Sequence, residues 1–233
     1  MIFRIGIEIN NDGIRTIAWA LEHPGCFAYG ADEDGALQNL SAAVVAYADW
    51  ISVHEPAWVD PHDGEFIVED SWTDYSINAD FELLEEGGYF VEPFFQYEWK
   101  PLTGAEIDRA MKLLAWSREE LATMLARLTP QQWSYQKEGE RWDIAGIVKH
   151  IGGAEWWYLD RLGLAFPREE VPAEPLEQLK RVRELLNDVL PGLEKVQQVT
   201  GVDGEFWSPR KVLRRALWHE RDHTTHIRKL MVA

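Results

Sequence analysis

The first hundred residues carry an alternating pattern of apolar and polar positions, and the remainder carries a helical one. Over residues 2–9, Phe3, Ile5, Ile7 and Ile9 fall on one side of the chain, which predicts a half-buried strand. Asn10-Asn11-Asp12-Gly13 is a turn signal, and residues 14–21 read as the returning strand of a hairpin. His23-Pro24-Gly25-Cys26 ends that strand, and residues 27–30 supply a short third one. Asp32 is placed to cap a helix whose stripe is Leu37, Leu40, Ala43, Val44, Tyr47 and Ile51. Strand-like pieces follow at 65–69 and 89–97. The Pro, Gly and acidic residues around them predict irregular loops.

Beyond residue 100 the period changes. Thr103-Gly104-Ala105-Glu106 is a capping box that opens an amphipathic helix to about residue 128, where Thr129-Pro130 stops it. Asp143 caps a second helix, to about residue 162, bearing Ile147, His150, Ile151, Ala154 and Trp157. A third is expected over 176–199, bent at Pro191-Gly192. Ser208-Pro209 starts a fourth that runs through Met231. Four such helices predict a helical bundle, so the expected fold class is an α+β unit over 1–100 followed by an all-α unit over 101–233.

Charge supports the same boundary. Residues 1–100 hold 20 acidic side chains against Arg4, Arg15 and Lys100, a net of −17, whereas residues 101–233 hold 20 of each sign. An acidic unit repels phosphate backbones, so no nucleic-acid partner is expected. It is read as a solvated acidic surface, the alternative being a dock for a basic partner. No apolar run reaches the ~18 residues a membrane span needs, and the start shows no signal-peptide pattern. A cytoplasmic, acidic protein without membrane association is the expectation. Cys26 is the one cysteine, so neither an internal disulfide nor a thiolate cluster can form. It reads as a small hydrophobe anchoring a turn.

The candidate chemistry lies near the C-terminus, in His219-Glu220-Arg221-Asp222-His223-Thr224-Thr225-His226. Three of the chain's seven histidines stand at i, i+4 and i+7, on one helical face. A pair at i, i+4 offers two nitrogens to one metal ion, and a third imidazole from a facing helix completes a set with open positions for water or substrate. His226 lies seven residues from His219, about 10.5 Å along the axis, too far to converge on the same ion. It is expected at the rim or one shell out. His219-Glu220-x-x-His223 also matches the zinc-protease pattern, with Glu220 as base, but no later histidine beyond His226 supplies the third ligand and Glu220 turns about 100° off the pair. Of twelve tryptophans, Trp157 and Trp218 are the expected pocket walls, while most of the others read as core. Lys149, Arg161, Arg214 and Arg215 read as surface ion pairs, with an anionic cofactor as the alternative.

Residues 103–233 resemble the DinB-like superfamily, four-helix bundles related to metal-dependent thiol S-transferases and mycothiol-dependent maleylpyruvate isomerase. The carriers are Leu128-Thr129-Pro130-Gln131-Gln132-Trp133, Arg141-Trp142-Asp143-Ile144, Lys149-His150-Ile151 with Ala154-Glu155-Trp156-Trp157, and residues 213–223. The resemblance implies one metal-binding histidine on the second helix and a pair on the fourth: His150, His219 and His223. The first part is similar to the HicB-like fold, a small sheet with one helix, through His23-Pro24-Gly25-Cys26, Gly30, Asp32-Glu33, Ala36-Leu37 and the helix to Trp50. It lacks the basic DNA-binding element that HicB antitoxins commonly add.

Together these readings predict a HicB-like domain with extra strands over 1–100 and a DinB-like metal-binding bundle over 101–233. The donor set suits Zn²⁺ or Ni²⁺. What the resemblance implies is a transferase that uses a low-molecular-weight thiol as cofactor against an electrophilic small molecule, in a chain that can pair as a homodimer. The residues leave catalysis itself open. The alternative is a non-catalytic binding or regulatory protein with a structural metal and an acidic docking domain.

Overall fold

The computed structural model describes residues 2–11, 13–56, 58 and 64–231. The opening alternation forms β1 (Ile2–Asn11), which pairs antiparallel with β2 (Arg15–Ala20), and β2 pairs with β3 (Phe27–Gly30). The turn joining β1 to β2 includes Asp12, which lies outside the described residues. Its flanks, Asn10 and Gly13, both have positive φ (66° and 74°). The helix α1 (Glu33–Ser52) starts where Asp32 accepts a hydrogen bond from the Gly35 amide at 2.8 Å. Gly30 is required at the end of β3: a Cβ there would lie 2.1 Å from the Ala36 amide nitrogen. The irregular loop expected after α1 falls partly on residues 57 and 59–63, outside the described residues.

The strand expected at 65–69 continues further, as β4 (Glu65–Thr73), and runs parallel to β1. Sheet order is β3-β2-β1-β4, with α1 as the connection that a parallel pair needs. A second sheet, expected only in part, consists of β5 (Tyr75–Ile77), β6 (Leu83–Leu84) and β7 (Tyr89–Val91) in the order β6-β5-β7. The strand expected to reach residue 97 stops at Val91. Pro93 follows, which has no N–H to give a ladder, and a 3₁₀ turn takes up Gln96–Trp99.

Four long helices dominate the rest: α2 (Gly104–Leu125), α4 (Ile144–Asp160), α5 (Pro175–Val189) and α6 (Pro209–Met231), with the single turn α3 (Pro130–Trp133) after α2. The capping box at Thr103 is present, with the Thr103 amide donating to Glu106 at 2.9 Å. Asp143 caps α4, accepting from the Gly146 amide at 2.7 Å. The expected helix over 176–199 ends earlier, at Val189, and a 3₁₀ turn covers Leu190–Leu193. Pro191 has no amide to continue the ladder, so the helix stops there rather than bending.

A hairpin not expected from the sequence follows, β8 (Thr200–Val202) with β9 (Glu205–Trp207). Asp203 and Gly204 both have positive φ (53° and 84°), the two-residue turn that Asp-Gly favours. Glu205 accepts hydrogen bonds from the Tyr89 hydroxyl (2.8 Å) and the Glu92 amide (2.7 Å). By proximity along the backbone, the chain divides into Met1–Lys100 with Gly201–Phe206, and Pro101–Thr200 with Trp207–Ala233.

Within the helical unit α4 packs on α5 and α6, and α2 packs on α6. Leu121, Leu125, Ile147, Val148, Ile151 and Ile227 are among the residues of its buried core. Each long helix also contributes one residue to a group of interior charges. Arg183 forks onto Glu155 (2.8 and 2.7 Å) and reaches Glu220 at 3.2 Å. Arg118 bonds Glu220 at 2.6 Å and Glu155 at 3.3 Å. The guanidinium of Arg183 also donates to the Leu114 carbonyl at 2.6 Å. Burial alone would make Glu220 harder to ionise, but Arg183 and Arg118 outweigh it and lower its pKa. Two positive and two negative charges thus compensate one another inside the bundle.

Candidate metal centre

Three histidines come together on α4 and α6. His150 sits two turns into α4, and His219 and His223 sit one turn apart in the middle of α6. The Nε2 atoms of His219 and His150 are 3.1 Å apart, and those of His223 and His219 are 3.2 Å apart. Among the described residues no Cys, Asp or Glu side chain joins this group, whose candidate ligand atoms all lie within 4.8 Å of one another. A divalent ion held at about 2.0–2.1 Å in tetrahedral or octahedral geometry sets two ligand nitrogens roughly 2.9–3.4 Å apart. The three side chains therefore fit a metal ion.

Their protonation state fits as well. Burial lowers the pKa of His219 well below the imidazole value, and His223, His150 and Arg215 lower it further. Burial, then His150 and His226, bring His223 to about 3. His150 is lowered by burial and by Arg141. Neutral imidazole, the form that ligates a metal, is what all three present at neutral pH.

Aromatic rings hold the site in place. Trp142 lies over His150, with centroids 4.7 Å apart and planes 30° apart, and the Arg141 guanidinium lies over the Trp142 ring, 4.5 Å from its centroid. Trp142 immediately precedes the capping residue of α4, a position whose side chain folds back over the first turns. That position was the available signal for a residue the sequence reading left among the core tryptophans. Tyr158 meets His219 edge-on at 6.1 Å.

The other candidate residues fall in different places. Trp218 is buried beside His219, with ring centroids 5.7 Å apart. Trp157 packs on Tyr158 and on Trp207 (5.2 Å), one ring removed from the histidines. His226 pairs with Glu140 at 3.1 Å and is partly exposed, outside the trio. Glu220 bonds Arg118 and Arg183 in the buried charge group, so its carboxylate is not poised as the base of a protease. Arg215 is buried and lies over Trp218 at 4.1 Å rather than in a surface ion pair. Arg161 lies over Trp157 at 4.8 Å and does form an ion pair, with Asp160 at 2.9 Å.

Comparison with known families places this unit. Residues 113–227 match the DinB superfamily. The matched span holds His150, His219 and His223 together with all four members of the buried charge group. A crystal structure described as TT2238, a four-helix bundle protein, is 25% identical, with 53% of this chain and 98% of that chain covered and a TM-score of 0.43. Curated proteins gave no match. No helix among the described residues is long and apolar enough to cross a membrane.

Proposed function

We propose that the DinB-superfamily region binds one divalent ion, Zn²⁺ or Ni²⁺, through His150, His219 and His223, and acts as a thiol-dependent transferase. The observation that carries the metal assignment is the pair of Nε2–Nε2 spacings, 3.1 and 3.2 Å, in a group without an opposite charge. A bound divalent ion supplies Lewis acidity, which favours the thiolate form of a low-molecular-weight thiol, the nucleophilic form. The protein's own residues would do the rest. His150, His219 and His223 stay neutral and present lone pairs, while Trp142 and Tyr158 fix the ring planes. Trp218, buried beside His219, would add an apolar wall to the site. The transfer itself would form a bond from the thiolate sulfur to an electrophilic carbon of a small molecule, as the bond from that carbon to its leaving group breaks and the leaving group departs with the electron pair.

A HicB-like character for the first hundred residues is part of the same proposal. It rests on His23-Pro24-Gly25-Cys26 and on the one helix that follows three strands. A cytoplasmic location agrees with the single, buried cysteine.

The burial of His219, 7% exposed, favours a second reading in which the metal only braces the bundle. The test is elemental analysis of the purified protein, followed by loading with Co²⁺ and titration with small thiols. One ion per chain and a visible spectrum that shifts on adding thiol support the transferase reading. An ion whose spectrum ignores every thiol supports the bracing role, and absence of metal removes both.

A further inference from the structure

Three of the four helix seams in the bundle are closed by direct packing: α2 on α6, α6 on α4, and α4 on α5. The fourth, between α2 and α5, holds a cavity of about 580 Å³. Its walls on the α2 side are Ala122, Leu125 and Ala126, extended by Trp133 of α3; on the α5 side they are Leu176 and Leu179. At one end of the gap the apolar residues Ala122, Leu125 and Ala126 face Leu176 and Leu179, and charged residues line the other. Ligand sites of this kind run about 300–1,000 Å³ and are lined mostly by apolar and aromatic side chains.

The charges around this cavity decide what it can hold. Its lining contains Arg118, Arg183, Lys180 and Glu184. Arg118 and Arg183 are compensated from beneath by Glu155 and Glu220, at 2.6–3.3 Å. Lys180 stands 3.8 Å from Glu184 one turn along α5. Three cations therefore face three carboxylates, all supplied by the bundle. An ionic ligand would find no net opposite charge, and at Arg118 or Arg183 it would have to displace a buried ion pair, which is strongly unfavourable. An apolar ligand gains from covering the leucines and the Trp133 ring. We infer that the α2–α5 seam is a binding site for an uncharged, apolar small molecule, separate from the three-histidine centre.

The pair of probes N-phenyl-1-naphthylamine and 8-anilino-1-naphthalenesulfonate tests this, since they share one aromatic skeleton and differ by a sulfonate. Full-length protein is titrated with each and followed by probe fluorescence. The neutral probe should bind saturably at one per chain, at least tenfold tighter than the sulfonate. Ala122→Trp on α2 and Ala126→Trp at its C-cap, both at exposed positions, should each weaken it at least tenfold while leaving the circular dichroism melt unchanged. Val45→Trp on α1, which is not part of the lining of this seam, should leave binding as it is. With two filling variants, one that fails to fold does not stop the test. Binding that survives both, equal affinity for the sulfonate, or no saturable binding would overturn the inference. So would a dimer of the native protein that both variants dissociate, since a second copy would then occupy the seam.

Discussion

His219 and Glu220 are consecutive on α6, both buried, and yet they end in opposite situations. A helix rotates about 100° per residue, so Glu220 turns to the interior of the bundle and His219 turns toward α4. Glu220 meets two guanidinium groups, and its charge is neutralised by the protein itself. His219 meets two more imidazoles, at 3.1 and 3.2 Å. A neutral imidazole has one N–H and one lone pair, so three Nε2 atoms facing one point cannot all satisfy one another. A cation takes all three lone pairs at once. The charge group is neutralised within the protein, whereas under the proposed reading the histidine group is completed by a metal ion. On that proposal the second is functional and the first architectural.

The sharpest way to break the comparison is to open the closed group. Replacing Arg183 by Met leaves Glu155 and Glu220 facing only Arg118. Arg183→Met should destabilise the protein by about 3–5 kcal/mol, read as a lowered urea midpoint. Replacing all four charges by apolar residues of similar volume should recover much of that loss, because the group compensates itself. If Arg183→Met costs under about 1 kcal/mol, the group is solvated and the contrast with the histidines falls.

Much of this was legible in the residues. The i, i+4 pair, the three helix caps at Asp32, Thr103 and Asp143, and the period change near residue 100 are local patterns, and local patterns are what a sequence displays directly. The charge group is not local: Arg118, Glu155, Arg183 and Glu220 are separated by 37, 28 and 37 residues. A trace of it exists, since each sits on its helix's apolar stripe, Arg183 between Leu179 and Leu186 and Arg118 between Leu114 and Leu121. Only three-dimensional packing says that the four meet. The β8–β9 hairpin was readable from Asp203-Gly204, but its strands are three residues each, too short to show alternation. Trp142 escaped because its contact with His150 spans a helix cap rather than a helical period.

The next effects concern the open group. Trp142→Ala removes the ring stacked on His150 and should weaken metal affinity about tenfold, the lower end of what losing an outer partner of a ligand costs. Competition with a chelator measures it, and unchanged affinity would deny Trp142 a positioning role. The pH dependence has a definite sign. His223 titrates at about 3 in the fold against about 6.5 in an unfolded chain, so the unfolded state binds more protons between those values. Metal-free protein should therefore lose stability as pH falls from about 6.5 toward 3, and His223→Gln should lose less over the same window. Equal slopes for the two would mean that His223 is not buried as a neutral ring. The smallest effect belongs to His226, which pairs with Glu140 and lies outside the trio. His226→Ala should leave metal stoichiometry unchanged and affinity within about twofold, by the same chelator assay.

The central claim is that the three imidazoles hold one metal ion, and counting metal atoms per chain tests it most directly. Native protein, purified without chelator and analysed by inductively coupled plasma mass spectrometry, should carry one divalent ion per chain. His219→Ala should carry none, with its helical circular dichroism retained. A native protein free of metal that also fails to take up Zn²⁺ or Ni²⁺, or a His219→Ala variant that keeps a full equivalent, would contradict the account.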